Sequence, residues 1–321
     1  MNIFVTGGSG FIGSNFINYL VDTHPNDIIV NIDKLTYASD PWYNSHASEK
    51  NNYRFIKVDI SDFNSVKKVL KDAELVVNFA AESHVDNSIL NSRPFVLSNF
   101  IGVHTLLELA RLYDFRFHQV STDEVYGSLE KDSPNAFDEN TPYDPRNPYS
   151  ATKASADLLV RAYHNTYGIR ATISNSGNNF GPHQHPEKLV PKTIIYALTG
   201  RKIPIYGKGE QMRDWIYVND HCSAIGNIIN KGRIGETYVI DSSAERITNI
   251  ELVKKIIGMI NSRFDLIEFV GDRPGHDFRY ALNSRKIREE LMWSPKFSLA
   301  DGLKETISHY VNNLMRYIDK I

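Results

Sequence analysis

Ile3-Phe4-Val5-Thr6-Gly7-Gly8-Ser9-Gly10-Phe11-Ile12-Gly13 opens the chain with a short apolar strand that runs into a glycine-rich turn. Helix spacing follows: Phe11, Ile12, Phe16, Ile17 and Leu20 recur at three- and four-residue steps. Ile28-Ile29-Val30-Asn31-Ile32 is the next strand, and it ends at Asp33. Glycines let the backbone turn tightly and approach a pyrophosphate held at the positive N-terminus of the following helix. Asp33 lies 20 residues beyond Gly13, where an acid accepts hydrogen bonds from a ribose diol and repels a 2′-phosphate. Strand, glycine turn, helix, strand, acid is the order of a dinucleotide site, and the acid favours NAD over NADP. A glycine-rich turn alone is weak support; its place between a strand and a helix makes it informative.

The same rhythm continues. Residues 34–52 are polar, contain Pro41, and read as a loop. Arg54-Phe55-Ile56-Lys57-Val58 is a third strand, followed by Asp59-Ile60. Asp59 could bond an adenine amino group or cap a helix beginning near Ser61 or Asp62. Leu75-Val76-Val77-Asn78-Phe79 is a fourth strand, ending in Ala80-Ala81-Glu82-Ser83-His84, where small residues allow close backbone approach to a ligand. His84 reads as a hydrogen-bonded loop histidine more readily than as a catalytic one. Ser98 to Tyr113 has helix spacing, and Phe115 to Val120 is a fifth strand. This alternation implies an α/β fold: a Rossmann-type doubly wound parallel sheet with its ligand at the carboxyl ends.

Ala171-Thr172-Ile173 is a sixth strand, after which the rhythm breaks. Residues 1–175 are therefore assigned to a dinucleotide-binding domain. Arg213-Asp214-Trp215-Ile216-Tyr217-Val218 is apolar enough to return to its sheet, so 213–240 is assigned back to that domain. Residues 176–212 and 241–321 form a smaller C-terminal α/β substrate-binding region, with a helix opening near Pro186 to Pro191 and a strand at Ile203 to Tyr206.

The fifth strand delivers Ser121-Thr122-Asp123-Glu124-Val125-Tyr126-Gly127, with two adjacent carboxylates. Tyr149-Ser150-Ala151-Thr152-Lys153 follows a proline-rich loop and starts a helix that stops at Gly168. Residues four apart share a helix face, so the Lys153 ammonium is expected to favour the Tyr149 phenolate and lower its pKa. That is the chemistry of hydroxyl deprotonation during hydride transfer. Two carboxylates allow one ionised and one protonated group, because mutual repulsion separates their pKa values. In isolation, such acids and such a Tyr/Lys pair are ordinarily solvated surface groups. Downstream of a dinucleotide turn they carry more weight. Lys188, Arg213 and Arg273 are candidates for diphosphate contacts, each equally readable as a surface charge. His183 and His185 have no cysteine or carboxylate at ligand spacing, so no metal site is expected.

The chain has 321 residues and a formal net charge of -2, with no basic field to attract nucleic acid or a membrane surface. The single Cys222 excludes an internal disulfide and fits a reducing, cytoplasmic setting. No apolar run approaches the roughly 18 residues of a membrane span, and no secretory signal pattern precedes the first strand.

The chain resembles the extended short-chain dehydrogenase/reductase family and, within it, the nucleotide-sugar 4,6-dehydratases. The resemblance spans nearly the whole length. It is carried by Ser121 to Gly127, Tyr149 to Lys153, Ala80 to Asp86, Asn178-Asn179, Pro186 to Pro191, Pro204 to Gly209, Arg213-Asp214-Trp215 and Asp272 to Asp277. Related epimerases and decarboxylases share the glycine turn and the Tyr/Lys pair but lack the acid pair after Thr122. The resemblance implies that Thr122, Asp123, Glu124, Tyr149 and Lys153 are catalytic. It implies NAD contacts from Gly7, Gly10, Phe11, Ile12, Gly13, Asp33, Lys34, Asp59, Ile60, Phe79, Ala80, Ala81, Ser98 and Asn179, besides Tyr149 and Lys153. Ser83, Thr122, Asn178, Lys188, Leu189, Pro204, Tyr206, Arg213, Asn249, Arg273 and His276 would touch a nucleotide sugar. The implied reaction is NAD-dependent loss of water from a nucleotide-activated hexose, dTDP-glucose first, with UDP-glucose or UDP-N-acetylglucosamine as alternatives and sugar-nucleotide epimerisation a more distant one. A homodimer is the family expectation. Departures are Asn87 for an arginine, Phe180 for a tyrosine, Asp241-Ser242 for a Gly-Gly pair and Phe278 for an arginine.

Overall fold

A computed structural model describes residues 1–243, 246–272 and 276–320. β1 (Asn2–Thr6), β2 (Ile28–Asp33), β3 (Tyr53–Lys57), β4 (Leu75–Asn78), β5 (Arg116–Thr122) and β6 (Ala171–Ser176) are parallel and joined through helices. An excursion carries β7 (Asn178–Phe180), β8 (Ile203–Tyr206), β9 (Met212–Arg213) and β10 (Trp215–Tyr217) before β11 (Thr237–Ile240) pairs with β6. The sheet order is β11-β6-β5-β4-β1-β2-β3. The chain reverses direction across the sheet between β1 and β4, and that switch point opens a crevice at their carboxyl ends.

The strands are apolar without alternation because both faces are covered. On β1, Ile3 and Val5 pack with Phe16, Ile17 and Leu20 of the helix Phe11–Thr23, whereas Phe4 packs on the opposite face with Val103, Leu106 and Leu107. The run Arg93–Tyr113 is long and apolar enough by composition to cross a membrane, yet Phe95, Val103, Leu106, Leu107 and Leu109 are buried in the protein. The expectation of a helix beginning at Ser98 is corrected in one respect. Val96–Ile101 winds as a π-helix before the α-helix Gly102–Tyr113, and such wide turns gather at functional sites.

Trp215–Tyr217 does not return to the central sheet as its apolarity suggested. It pairs in parallel with β7, and it is Thr237–Ile240 that rejoins the main sheet. The rest of the C-terminal part packs Ala197 of the helix Leu189–Thr199, Ile203 and Ile205 of β8, and Val253 and Ile257 of the helix Asn249–Ile260 into a separate small core. β12 (Ile247–Thr248) pairs with β9, and β13 (Ile267–Val270) with β8.

Candidate active site

The glycine turn is shaped by what lies against it. Gly7 has φ +69°, and a Cβ there would meet the Ala80 backbone nitrogen at 2.6 Å. A Cβ on Gly13 would meet the Gly7 carbonyl oxygen and the Gly8 Cα at 2.9 Å. Glycine is required at both positions, which brings the helix Phe11–Thr23 close under β1 and β4. That helix starts at Gly10 with no side-chain cap and no acid in its first turn. Its N–H groups and positive end are open to an anion.

A cavity runs along the switch point. Gly7, Gly10, Phe11, Ile12, Gly13, Asp33, Lys34, Asp59, Ile60, Phe79, Ala80, Ala81, Ser98, Tyr149 and Lys153 all line it. Asn179 does not line it; its Nδ2 donates to Ser176 Oγ at 3.2 Å, and its Oδ1 meets His221 Nδ1 at 2.8 Å. Asp33 is buried and accepts from Ser9 N at 3.0 Å, Leu35 N at 2.7 Å and Ser39 Oγ at 3.1 Å. Asp59 accepts from Ser61 N at 2.9 Å, while Asp62 takes the helix N-cap by accepting from Ser65 N at 3.3 Å. The cap alternative for Asp59 is thereby excluded. Lys34 Nζ lies 3.5 Å from Asp59.

Of the candidate sugar-nucleotide residues, Ser83 and Lys188 line the same cavity, and Lys188 Nζ donates to the Ser83 carbonyl at 2.9 Å. Thr122, Asn178, Leu189, Pro204, Tyr206, Arg213, Asn249 and His276 do not line it. Tyr206 and His276 lie edge to face with ring centroids 6.3 Å apart. The Asn249 backbone N–H donates to the Gln211 carbonyl at 2.9 Å. Arg213 is only 4% exposed, and its guanidinium donates to the carbonyls of Met212, Asp277 and Phe278 at 2.8–3.1 Å while stacking on Tyr280. It braces two segments, with its charge in reach of Asp123. Arg273 lies outside the described residues.

The catalytic candidates gather at the end of β5. Thr122 Oγ1 accepts from Glu124 N at 3.3 Å and starts the short 3-10 turn Asp123–Tyr126. Asp123 is 2% exposed, and its Oδ2 has no hydrogen-bond partner among the described residues. Burial, then the neighbouring Glu124, hold its carboxyl well above the usual range, which favours the acid form. Glu124 Oε2 accepts from Asn147 Nδ2 at 3.4 Å. Asn147 also N-caps the helix Pro148–Tyr167 in a capping box with Ser150. That helix carries Tyr149 and Lys153 inward, both buried.

The Tyr149 pKa moves up, against the expectation that Lys153 would lower it. Burial pushes the phenol up, Glu124 adds to it, and the Thr122 hydroxyl opposes. Lys153 instead donates to the Val120 carbonyl at 2.7 Å, and burial pulls its ammonium down to about 8. Sequence reading missed Asp157, four residues beyond Lys153 on the same helix, a spacing that could have found it. It also missed Ser39, Gln184 and Glu187, which line the cavity from loops with no periodic signal.

The family model described as GDP-mannose 4,6 dehydratase matches residues 4–306. The chain belongs to that family. Among 4,6-dehydratase relatives, the dTDP-glucose 4,6-dehydratase of Mycobacterium tuberculosis is 46% identical over 314 residues, covering 98% of this chain and 94% of the relative. The low-salt glycan biosynthesis protein Agl12 of Haloferax volcanii is 47% identical over 98% of this chain and 99% of its own. The crystal structure of DesIV, a dTDP-glucose 4,6-dehydratase from Streptomyces venezuelae with NAD and TYD bound, superposes with a TM-score of 0.97 at 39% identity, covering 100% of both chains. The 4,6-dehydratase fold is thus shared from end to end.

Proposed function

We propose that this chain is an NAD-dependent 4,6-dehydratase that converts a nucleotide-activated hexose, dTDP-glucose above all, to the 4-keto-6-deoxy sugar. The observation that carries the chemistry is the contrast at the end of β5. Buried Asp123 has its carboxyl pushed towards the acid form, and adjacent Glu124 stands at the helix cap beside Tyr149. The relatives named for dTDP-glucose support the substrate.

The cavity residues fit a dinucleotide. The uncapped helix start would hold the pyrophosphate, Asp33 the ribose, and Phe79, Ala80 and Ala81 the close approach beside it. Bound NAD supplies the acceptor for the C4 hydride and the donor that returns it to C6. Tyr149 takes the proton of the 4-hydroxyl. Burial opposes the phenolate, and the positive Lys153 on the same helix face is the charge that favours it. The 4-ketone acidifies C5. Glu124 removes the C5 proton as base, and Asp123 gives its proton to the C6 hydroxyl, which leaves as water. Thr122 orients the substrate beside them.

Residues 1–175 with 213–240 serve the dinucleotide and lend Ser83 and Arg213 to the sugar nucleotide, which 176–212 with 241–321 hold through Asn178, Lys188, Leu189, Pro204, Tyr206, Asn249, Arg273 and His276. Asn179 contributes to the cofactor side from β7. The protein works in the cytoplasm as a homodimer. Leu97 at 43% exposure and Ile101 at 37% lie four residues apart on the stretch Arg93–Tyr113, which packs on the helix Pro148–Tyr167, where Leu158 is 54% exposed, and these apolar side chains suit a second copy. Leu97→Glu should shift sedimentation to the monomer; an unchanged dimer would remove that face from the interface.

The deciding assay incubates the protein with dTDP-glucose, UDP-glucose and UDP-N-acetylglucosamine, with mass spectrometry for loss of one water. dTDP-glucose should give the highest kcat/KM. A UDP sugar ahead of it overturns the thymidine assignment, and an epimerised product without water loss overturns the dehydratase reading.

A further inference from the structure

Asp157 is fully buried in the middle of the helix Pro148–Tyr167, and a carboxylate is costly there unless it has a task. Donors from separate elements converge on one of its oxygens. Oδ2 accepts from Ser121 Oγ of β5 at 2.6 Å, Tyr143 Oη of the preceding loop at 3.1 Å and Asn175 Nδ2 of β6 at 3.3 Å. Oδ1 has no hydrogen-bond partner among the described residues. Three donors aimed at one oxygen favour the ionised carboxylate over the acid.

The cradle reaches the catalytic strand end. Ser121 immediately precedes Thr122, and Asn175 Nδ2 also donates to the Thr122 carbonyl at 3.1 Å. Arg161, one turn further along the helix, donates to Tyr143 Oη at 3.0 Å and stacks on its ring. Lys153, one turn before Asp157, spends its visible hydrogen bond on the neutral Val120 carbonyl. A carbonyl orients an ammonium but supplies no counter-charge.

We propose that Asp157 is a positioning residue that keeps Lys153 in its ammonium form and, through Ser121 and Asn175, holds the end of β5 in register with Tyr149. This rests on the dehydratase reading for its consequence, and on the shared helix face of Lys153 and Asp157 for the Lys153 charge. Burial lowers the Lys153 pKa, and Asp157 is the charge that opposes it. For Asp157, burial raises the pKa, while Lys153, Ser121, Asn175 and Tyr143 oppose it. The other titratable groups facing this cluster are Tyr149 and Arg161 on the same helix, Tyr126 and Glu139 from the loop, and Asp123 and Glu124 from the strand end. Among the charged groups around it, Asp157 is the one that acts on Lys153.

The test reads the lysine directly. Protein carrying 13C at lysine Cε is titrated by NMR without substrate, the Lys153 signal being assigned by its loss in Lys153→Arg. The native midpoint should fall near 8. Asp157→Asn should move it down by about one pH unit, because one unit corresponds to a tenfold change in preference between charge states. In turnover, the alkaline limb of kcat should move down with it while KM for the nucleotide sugar holds. An Asp157→Asn protein that melts like the native one with an unmoved Lys153 midpoint overturns the proposal. If that variant does not fold, Tyr143→Phe decides, since it removes one donor and keeps the charge. The Asp157 charge and the Lys153 midpoint should then hold, while the loosened cradle lowers kcat. An unchanged kcat in Tyr143→Phe overturns the proposal. A native protein that titrates as expected but releases no water from any sugar nucleotide counts against the dehydratase reading instead.

Discussion

Asp123 and Glu124, adjacent in sequence, face different surroundings at the end of β5: Asp123 is 2% exposed with Oδ2 bonded to no described residue, whereas Glu124 accepts from Asn147 Nδ2. A carboxyl pushed towards its acid form beside one engaged at a helix cap suits an acid and a base separated by one peptide. Glu124→Gln keeps size and hydrogen bonding but cannot take the C5 proton, so reduced-nicotinamide absorbance should build up without water loss. Asp123→Asn should stall at the same stage, each loss being about 10² to 10⁴ in rate. Native turnover in heavy water should place deuterium at C5 and leave the hydrogen moved to C6 undiluted. Native-rate dehydration by Glu124→Gln, or product without deuterium at C5, ends this assignment.

Asp33 collects Ser9 N, Leu35 N and Ser39 Oγ on one carboxylate at the cavity wall. Asp33→Asn keeps the shape but loses the charge that excludes a 2′-phosphate. NAD should bind at least tenfold more weakly, and the preference against NADP should shrink. Isothermal titration with both cofactors measures it; an unchanged NAD-to-NADP ratio places the ribose elsewhere.

Gly13→Ala pushes a methyl group into the Gly7 carbonyl and the Gly8 backbone, neither of which is the end of a flexible side chain. Overpacking of this kind costs about 1 to 3 kcal/mol. The thermal midpoint should fall by several degrees and copurifying NAD should be lost. A variant that retains full NAD occupancy after purification contradicts the close approach at this turn.

His118 is 1% exposed between Thr172 Oγ1 at 2.9 Å and Ser174 Oγ at 3.1 Å, and burial, then His221, hold its pKa down to about 3. His221 is held equally low by burial. In the unfolded chain, histidine titrates near 6.5, so between those values the unfolded state binds more protons. Stability from these groups is therefore fully present above about 6.5 and is lost as pH falls towards 3. The thermal midpoint should drop steadily from pH 7 to pH 4.5. His118→Gln should flatten that slope by about one proton's worth, roughly 1.4 kcal/mol per pH unit. An unchanged slope would show that His118 stays neutral in both states or is not buried.

The periodic strands, the glycine turn and the acid at its far end were legible in the sequence because each is a local consequence of burial. A strand covered on both faces must be apolar throughout, and a helix start that approaches β4 closely must be glycine. Thr122, Asp123, Glu124, Tyr149 and Lys153 were legible because those residue types, at a strand end and on one helix turn, have few uses together. Where the elements meet was a different matter. Trp215–Tyr217 is apolar enough for the central sheet, but only the folded chain selects β7 as its partner. Arg213 reads as a phosphate fork, and only the approach of Met212, Asp277 and Phe278 ties it to their carbonyls.

Composition and spacing determined that this chain holds a dinucleotide turn and a paired-carboxylate, Tyr/Lys site, since those depend on neighbours within a helix turn or a strand. The tertiary structure alone decided which carboxyl is pushed towards its acid form, in which direction the Tyr149 pKa moves, and that Asp157 is gathered in by β5, β6 and a loop. The physical reason is desolvation. The charge state of a buried group is set by what excludes water from it, and here those groups come from residues tens of positions away along the chain.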